Sequence, residues 1–441
     1  DTTEASGTSV AGTVATTDHA MDLGAVTLGA NATLSSGSGQ VTTSSITDGS
    51  SSHTLTLGES GQSGAFALSG NVTVGTLATV AQAYDVSLTG SASVINTDTT
   101  FSNTGALTLG DEAGDSTTFT GGLDTTEASG TSVVGTVATT DTAMDLGAVT
   151  LTADGTLRSG SGAITVASIA GGTTHGLALQ ESAGGSTGGV TFTGDVTAKS
   201  LTTFGGSAAY GVSFKGGGTF VDAVELNAAS LTLGDDAGDI LTFTGGLTTN
   251  VAGDAPINTA GTVKTEGTAL SVGDADSALI LSDATTLSTG TGGGNLTISS
   301  VQEGNHALVA EAGTGSLGVA GAIGFGGAIG SVDFTGASIA LNDVSTAGTQ
   351  SYTGAITTNS TYTSAGSDIS FTGNLVLNDA LTVDTGTGIA GTITFGGTVD
   401  SEASETNDLT LTAGTGNVDF DGAVGATDAL GALLINSATN V

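Results

Sequence analysis

The chain has 441 residues, including 74 Gly, a single Pro, and no Cys or Trp. Only 4 Lys and Arg stand against 42 Asp and Glu, and the formal net charge of −38 disfavours nucleic acid and anionic membrane surfaces as partners. Without Cys, a disulfide scaffold, a thiolate zinc site and a cysteine nucleophile are excluded. Divalent cations are the partners that such a charge favours.

The first segment of the chain recurs almost unchanged further along. Residues 1–28 and 124–151 differ only at Ala11/Val134 and His19/Thr142. Residues 107–123 and 231–247 share a second pattern, LTLGDxAGDxxTFTGGL. These copies predict a repeat array whose units pack against their neighbours, with one superrepeat at 1–123, a second at 124–247 and a divergent continuation at 248–441.

Short alternating segments dominate the whole chain. Apolar residues two apart with Thr between them, as in 72–74, 107–109 and 409–411, predict strands with one buried and one wetted face. Clusters of Gly, Asn, Asp and Ser between them predict tight turns. No segment has a clear 3.6-residue apolar stripe, and the small-apolar stretch 316–330 is too short and too rich in Gly to span a membrane. We therefore expect a chain almost free of helix and without a membrane span.

A recurring Phe followed two residues later by Gly indicates the length of one repeat. Near the end of the chain this motif returns about every 24 residues, which suits one coil of a parallel β-helix, or β-solenoid. A string of immunoglobulin-like sandwiches is the rival all-β architecture, but its units are longer and carry a core Trp. We predict that the following Phe side chains point into the solenoid core: Phe119, Phe192, Phe243, Phe334, Phe371, Phe395 and Phe420.

Two acidic loops are candidate metal sites because calcium prefers several carboxylate oxygens close together. The first loop contributes Asp111, Glu112 and Asp115. The second contributes Asp235, Asp236 and Asp239. Solvated acidic turns are the alternative interpretation, since neither loop has the pattern of an EF-hand or of a calcium-binding β-roll.

Three histidines occupy similar positions in the repeat. His53, His175 and His306 suggest a metal ladder at first sight, but about five coils would separate them if a coil has roughly 24 residues. A duplicated turn residue is therefore the favoured interpretation. Residues 313–318 match GxGxxG, yet no helix pattern follows, as a dinucleotide site requires.

In composition and in the pattern of short strands, segments such as 160–171 (GSGAITVASIAG) and 409–441 resemble the sequences of a group of bacterial proteins. These are the large repetitive β-strand-repeat surface proteins, similar to filamentous-haemagglutinin-type adhesins and autotransporter passengers. The resemblance implies a secreted, right-handed parallel β-helix exposed on the bacterial cell surface, where it acts in adhesion, matrix or coat formation.

We therefore expect a structural component of an extracellular surface fibre, sheath or coat, with no catalytic residues. Neither end has a polar cap, so we expect the chain to continue head to tail, into an identical copy or into a longer parent chain. An adhesin that binds a host or glycan ligand is the alternative. A β-helix polysaccharide-active enzyme is a third interpretation, which four Tyr, no Trp and few basic residues disfavour.

Overall fold

The computed structural model describes residues 1–3, 7–50, 52–180, 186–204, 210–358, 360–388 and 390–441. These residues form 45 strands and no helix, and so no helix long and apolar enough to cross a membrane. The predicted all-β parallel β-solenoid is confirmed, with about 19 turns of about 22 residues each. The mean turn is shorter than the predicted 24 residues because register partners such as Val332 and Gln350 are closer in sequence than Phe371 and Phe395.

The strands are short and follow one another closely. In chain order they begin with β1 (Thr8–Ala15), β2 (Met21–Ser35), β3 (Val41–Thr47), β4 (Thr54–Leu57), β5 (Phe66–Leu68), β6 (Val72–Val74), β7 (Thr76–Thr79), β8 (Val86–Leu88), β9 (Ala92–Ile95), β10 (Thr99–Thr100), β11 (Ala106–Leu109), β12 (Ser116–Phe119), β13 (Leu123–Asp124), β14 (Gly130–Thr139), β15 (Met144–Arg158), β16 (Ile164–Ala170), β17 (Leu177–Leu179), β18 (Val190–Phe192), β19 (Val196–Ala198), β20 (Leu201–Thr203), β21 (Gly211–Phe214) and β22 (Gly218–Phe220). They continue with β23 (Val224–Ala228), β24 (Ser230–Leu233), β25 (Ile240–Phe243), β26 (Leu247–Val251), β27 (Ile257–Lys264), β28 (Leu270–Val272), β29 (Leu279–Ser288), β30 (Leu296–Ile298), β31 (Val301–Glu303), β32 (Ala307–Glu311), β33 (Ser316–Val319), β34 (Ser331–Leu341), β35 (Val344–Thr346), β36 (Gln350–Thr358), β37 (Thr361–Ser364), β38 (Ile369–Phe371), β39 (Leu375–Leu377), β40 (Leu381–Asp384), β41 (Ile393–Phe395), β42 (Val399–Ser401), β43 (Leu409–Thr412), β44 (Val418–Phe420) and β45 (Leu433–Ser437).

The chain forms two compact units, unit 1 at Asp1–Ser213 and unit 2 at Phe214–Val441. In unit 1, strands β3, β5, β8, β11 and β14 form one parallel ladder. In unit 2, strands β34, β36, β38, β41 and β44 form another, and β35, β37, β40, β43 and β45 make a separate five-stranded sheet. Each ladder stacks residues of successive turns at the usual strand spacing, about 4.8 Å.

The core follows from the alternation of side chains in these strands. In β6, Val72 and Val74 are completely buried, whereas Thr73 between them is half-buried on the outer surface. Most of the three-residue strands repeat this pattern. Because the side-chain period of a strand is two, each such strand directs its first and third side chains to the interior and its central one, often Thr or Ser, to the surface.

The predicted Phe residues occupy this interior. Phe119, Phe192, Phe243, Phe334 and Phe371 are fully buried. The Phe395 ring stacks on that of Phe371, with centroids 5.3 Å apart and an interplanar angle of 4°. Phe420 stacks on Phe395 at 4.9 Å but is only half-buried.

Glycine marks the corner after several of these rings. A Cβ atom on Gly397 would lie 2.5 Å from the backbone of Gly373, its counterpart in the preceding turn. Similarly, a Cβ atom on Gly121 would overlap the backbone nitrogen of Asp98. The turns approach one another too closely here for any side chain, which explains the Gly two residues after Phe.

The duplicated segment adopts the same local structure in both copies. Strand β1 pairs with β2 through a register shift between Val10 and Gly12. Strand β14 pairs with β15 through the same shift between Val133 and Gly135. The near-identical sequences thus bend at equivalent glycines.

Candidate functional site

The first acidic loop, residues 110–115, is closed by its own last side chain. Asp115 accepts hydrogen bonds at Oδ2 from the backbone N–H groups of Asp111 and Glu112, both at 2.9 Å. The Asp115 N–H in turn donates to the Glu112 carbonyl oxygen at 2.9 Å. A carboxylate is the strongest acceptor that a turn can supply for its N–H groups, so the loop needs an Asp at this position.

The second acidic loop, residues 234–239, repeats this geometry. Asp239 accepts at Oδ2 from the N–H groups of Asp235 and Asp236, at 3.0 and 3.1 Å. The Nζ atom of Lys215 lies 3.7 Å from Asp235 Oδ2, so this loop also has a nearby cation.

Each acidic loop also packs on the following turn. The carbonyl oxygen of Asp115 accepts the N–H of Thr136 at 2.8 Å, and that of Asp239 accepts the N–H of Thr262 at 2.8 Å. We call the residues that receive the loops, 134–136 and 260–262, the sockets. Their central residues, Gly135 and Gly261, have φ of 71° and 69°. A Cβ atom at either glycine would overlap the carbonyl oxygen of the loop's last Asp.

The carboxyl groups of Asp111 and Asp115, at the two ends of the first loop, have pKa values shifted in opposite directions. Burial raises the pKa of Asp111, and the neighbouring Asp115 and Glu112 carboxylates raise it further. Burial also opposes ionisation of Asp115, but the N–H groups of Asp111 and Glu112 outweigh it and hold the pKa of Asp115 below its ordinary value. Asp115 is therefore the group that stays ionised to close the loop.

The predicted calcium ligands come together within each loop. Across the described ranges, however, no group of three or more His, Asp or Glu side chains is arranged to hold a metal ion. The best acceptor in each loop, the last Asp, is already committed to backbone N–H groups. Calcium binding stays a prediction that a titration tests.

His53 is part of a compact hydrogen-bonded turn. Its Nδ1 atom lies 2.8 Å from Asp48 Oδ1, and its backbone N–H donates to Asp48 Oδ2 at 2.7 Å. The Ser50 hydroxyl donates to Asp48 Oδ1 at 2.8 Å. Burial alone would raise the pKa of Asp48, but these hydrogen bonds hold it well below its ordinary value. The buried carboxylate anchors the turn.

The other two histidines of the repeat, His175 and His306, also lie near Asp side chains. His306 Nδ1 lies 3.4 Å from Asp283 Oδ1. His175 immediately precedes Gly176, whose N–H donates to Asp154 Oδ1 at 2.7 Å. His306 thus stands beside an Asp, and His175 adjoins a turn whose next residue is bound by an Asp.

A set of side chains that link successive turns is not evident from the sequence. In each link, an Asp or Asn Oδ1 accepts the backbone N–H of a residue one turn later, which satisfies a donor at the corner of the solenoid. Links with distances of 2.7–3.1 Å include Asp18 to Ser38, Asn71 to Ala92, Asp85 to Ala106, Asp141 to Ser161, Asn295 to Ser316, Asp343 to Thr361, Asp368 to Thr392 and Asn374 to Thr398. The available signal is an Asx residue at a corner, one turn before the start of a strand.

The roles of two buried glutamines, Gln62 and Gln180, are also not evident from the sequence. Gln62 accepts the Ser36 N–H at 3.0 Å and donates to the Gly64 carbonyl oxygen at 2.7 Å. Gln180 accepts the Ser159 N–H at 2.9 Å and donates through Nε2 to a carbonyl oxygen at 2.8 Å. A primary amide both donates and accepts, so it satisfies buried backbone groups of two turns at once. Both residues resemble ordinary turn residues in the sequence.

Unit 1 also carries an open surface groove of about 210 Å³. Its lining includes Asp154, Leu177 and three residues that carry hydroxyl groups, Thr156, Ser200 and Thr202. This arrangement offers hydrogen-bonding groups to a small hydroxylated ligand, but none of its lining residues in the described ranges has an aromatic side chain on which a sugar ring would stack.

The polar groups that stand out in this chain are thus bound mainly to backbone groups of their own turn or the next. Asp115, Asp239 and Asp48 are the most completely engaged. No protein-family model, no curated protein and no solved structure matches the chain.

Proposed function

We propose that the protein is a structural component of an extracellular bacterial surface fibre, sheath or coat, in which solenoid turns continue head to tail. The observation that carries this proposal is the use of its acidic side chains. Asp115 and Asp239 close loops that pack on the next turn, and the Asx links join many other pairs of turns. These groups support the stacking of turns rather than a reaction.

The physical properties of the surface support the same role. Strands turn Thr and Ser outward, and the formal charge of −38 makes copies repel one another laterally while the surface stays hydrated. The hydrogen-bonded ladders run through successive turns, so pulling along them loads many backbone hydrogen bonds together. The texture shared with repetitive bacterial surface proteins supports an extracellular location.

Labelling of intact cells tests the location directly. Antibodies raised against the purified chain are expected to label unpermeabilised cells that produce it, and deletion of the coding sequence is expected to remove a surface layer or fibre seen by electron microscopy. A cytosolic protein of known location serves as the control for cell integrity. Label that is detected only after permeabilisation would contradict the proposal.

The groove of unit 1 favours an adhesin as the second candidate. Its hydroxyl groups and carboxylate suit a glycan or another hydroxylated ligand. Binding to a glycan array is the test, with the double variant Thr156→Val, Thr202→Val expected to lose any signal. Thr108→Val is the matched control, because Thr108 lies half-buried on strand β11 and does not line the groove. A signal unaffected by the double variant would place binding elsewhere.

A further inference from the structure

The first turn of unit 1 carries a third copy of the socket that receives an acidic loop. Residues 11–14 read AGTV, as do residues 260–263, and residues 134–137 read VGTV. The second and third of these segments are sockets for the loops at 234–239 and 110–115. The same sequence in the first turn therefore indicates the same receiving surface.

The two covered sockets show what this surface fits. Gly110 and Gly234, which open the two acidic loops, both have φ of 79°, and a Cβ atom on either would overlap a socket carbonyl oxygen, that of Val134 or Ala260. The fit thus depends on glycine on both sides. Under the loops, Val137 and Val263 are completely buried.

The socket at Gly12 keeps this conformation although no loop among the described residues lies against it. Gly12 has φ of 74°, yet no atom of the described part of the chain lies within 4 Å of the position that a Cβ atom would take. Ala11 is exposed and Val14 is half-buried, whereas the equivalent Ala260 and Val263 are buried. Strand β1 pairs with β2 on one side through the register that β14 uses with β15, so the receiving side is already formed.

We infer that the turn at residues 8–15 binds a further solenoid turn of the same repeat. This further turn carries the LTLGDxAGD sequence and stacks on the side of residues 8–15 that is opposite to β2. The backbone carbonyl of its last Asp accepts the Thr13 N–H, as Asp115 does for Thr136 and Asp239 for Thr262. Ala11 and Val14 then become buried.

Two kinds of head-to-tail contact differ in what they offer the socket at Gly12. The last turn of the chain continues from Phe420 with the sequence DGAV and has no GDxAGD loop. The socket therefore selects an acidic-loop turn over the last turn of a second copy. The inference rests on the stacking in the proposed function but not on the cell-surface location, so the labelling experiment and the following one fail independently.

The test extends the full chain by one turn in front of Asp1. In the first variant, a copy of residues 103–123 precedes Asp1, which recreates the natural junction between Leu123 and Asp124. In the second, a copy of residues 421–441 precedes Asp1 and imitates a homopolymer contact. We expect the first extension to slow amide hydrogen exchange of Thr13 at least about tenfold and the second to leave it unchanged, because only the first supplies the acceptor for Thr13.

Gly12→Val is the matched control. In the first extended protein it is expected to abolish the protection, because a side chain at this position overlaps the loop carbonyl in both covered sockets. In the chain without an extension, exchange in β2 reports whether Gly12→Val has disturbed the fold itself. Equal protection by both extensions, or protection by neither, would overturn the inference.

Discussion

Replacement of Phe395 by Ala tests whether the aromatic column of unit 2 stabilises the solenoid. The ring is 1 % exposed and stacks between Phe371 at 5.3 Å and Phe420 at 4.9 Å. Truncation of a buried Phe to Ala costs about 3–5 kcal/mol, through lost apolar burial and the cavity that remains. Two ring contacts disappear together, and each contributes about 0.5–1.5 kcal/mol, so we expect a cost in the upper half of that range.

Phe420→Ala is the matched comparison, because Phe420 is half-buried and, among the described residues, its ring stacks only on that of Phe395. We expect it to cost about half as much, or about 2 kcal/mol. Repeat proteins open locally, so native-state hydrogen exchange of β38 and β41 measures the effect better than one global transition. Equal costs for the two variants, or a cost below about 1 kcal/mol for Phe395→Ala, would refute the packing argument.

Three further predictions concern the acidic groups. Asp115→Ala is expected to lower the free energy of unfolding by about 1–3 kcal/mol because two N–H groups lose their acceptor, whereas Glu112→Ala should change it by less than about 0.5 kcal/mol in urea titrations. The lowered pKa of Asp48 means that its ionised form stabilises the fold above the unfolded pKa of about 4, and that this stability is lost as the pH falls through the folded pKa. Asp48→Asn should therefore flatten the acid side of the stability profile, and a profile identical to that of the parent would contradict the assignment. Calcium at low salt is expected to raise the melting temperature by relieving repulsion within the acidic loops; no difference between calcium and chelator would show that the ion is not structural.

Much of the fold is predictable from the sequence because its signals are local. Alternation such as Val72-Thr73-Val74 depends only on the period of a strand, and Gly after Phe marks a corner. The linking roles of Asp85 and Gln62 are not predictable in this way, since they depend on which residue of the next turn lies opposite. The pairing of residues in successive turns depends on corners whose length varies along the chain. For the same reason, the spacing of Phe371, Phe395 and Phe420 is longer than the mean turn of about 22 residues.

The sockets illustrate a second limit. The sequence contains LTLGDxAGD twice and AGTV or VGTV three times, but nothing in the patterns alone relates one to the other. Their relation is visible only in the structure, where the Asp115 carbonyl oxygen accepts the Thr136 N–H. Gly135, next to Thr136, has a positive φ that other residues avoid. From the sequence, the carboxylates of the acidic loops are therefore interpreted as metal ligands. In the structure, their clearest contacts are with backbone N–H groups.

The Asx links have a consequence for sequence drift. Asn71 and Asp85 perform the same task with the same atom, Oδ1, and so do Asn374 and Asp368. Mutation of a linking Asn to Asp keeps this acceptor and adds a negative charge. A chain built in this way tolerates such substitutions. It also accumulates negative charge without loss of the links between its turns.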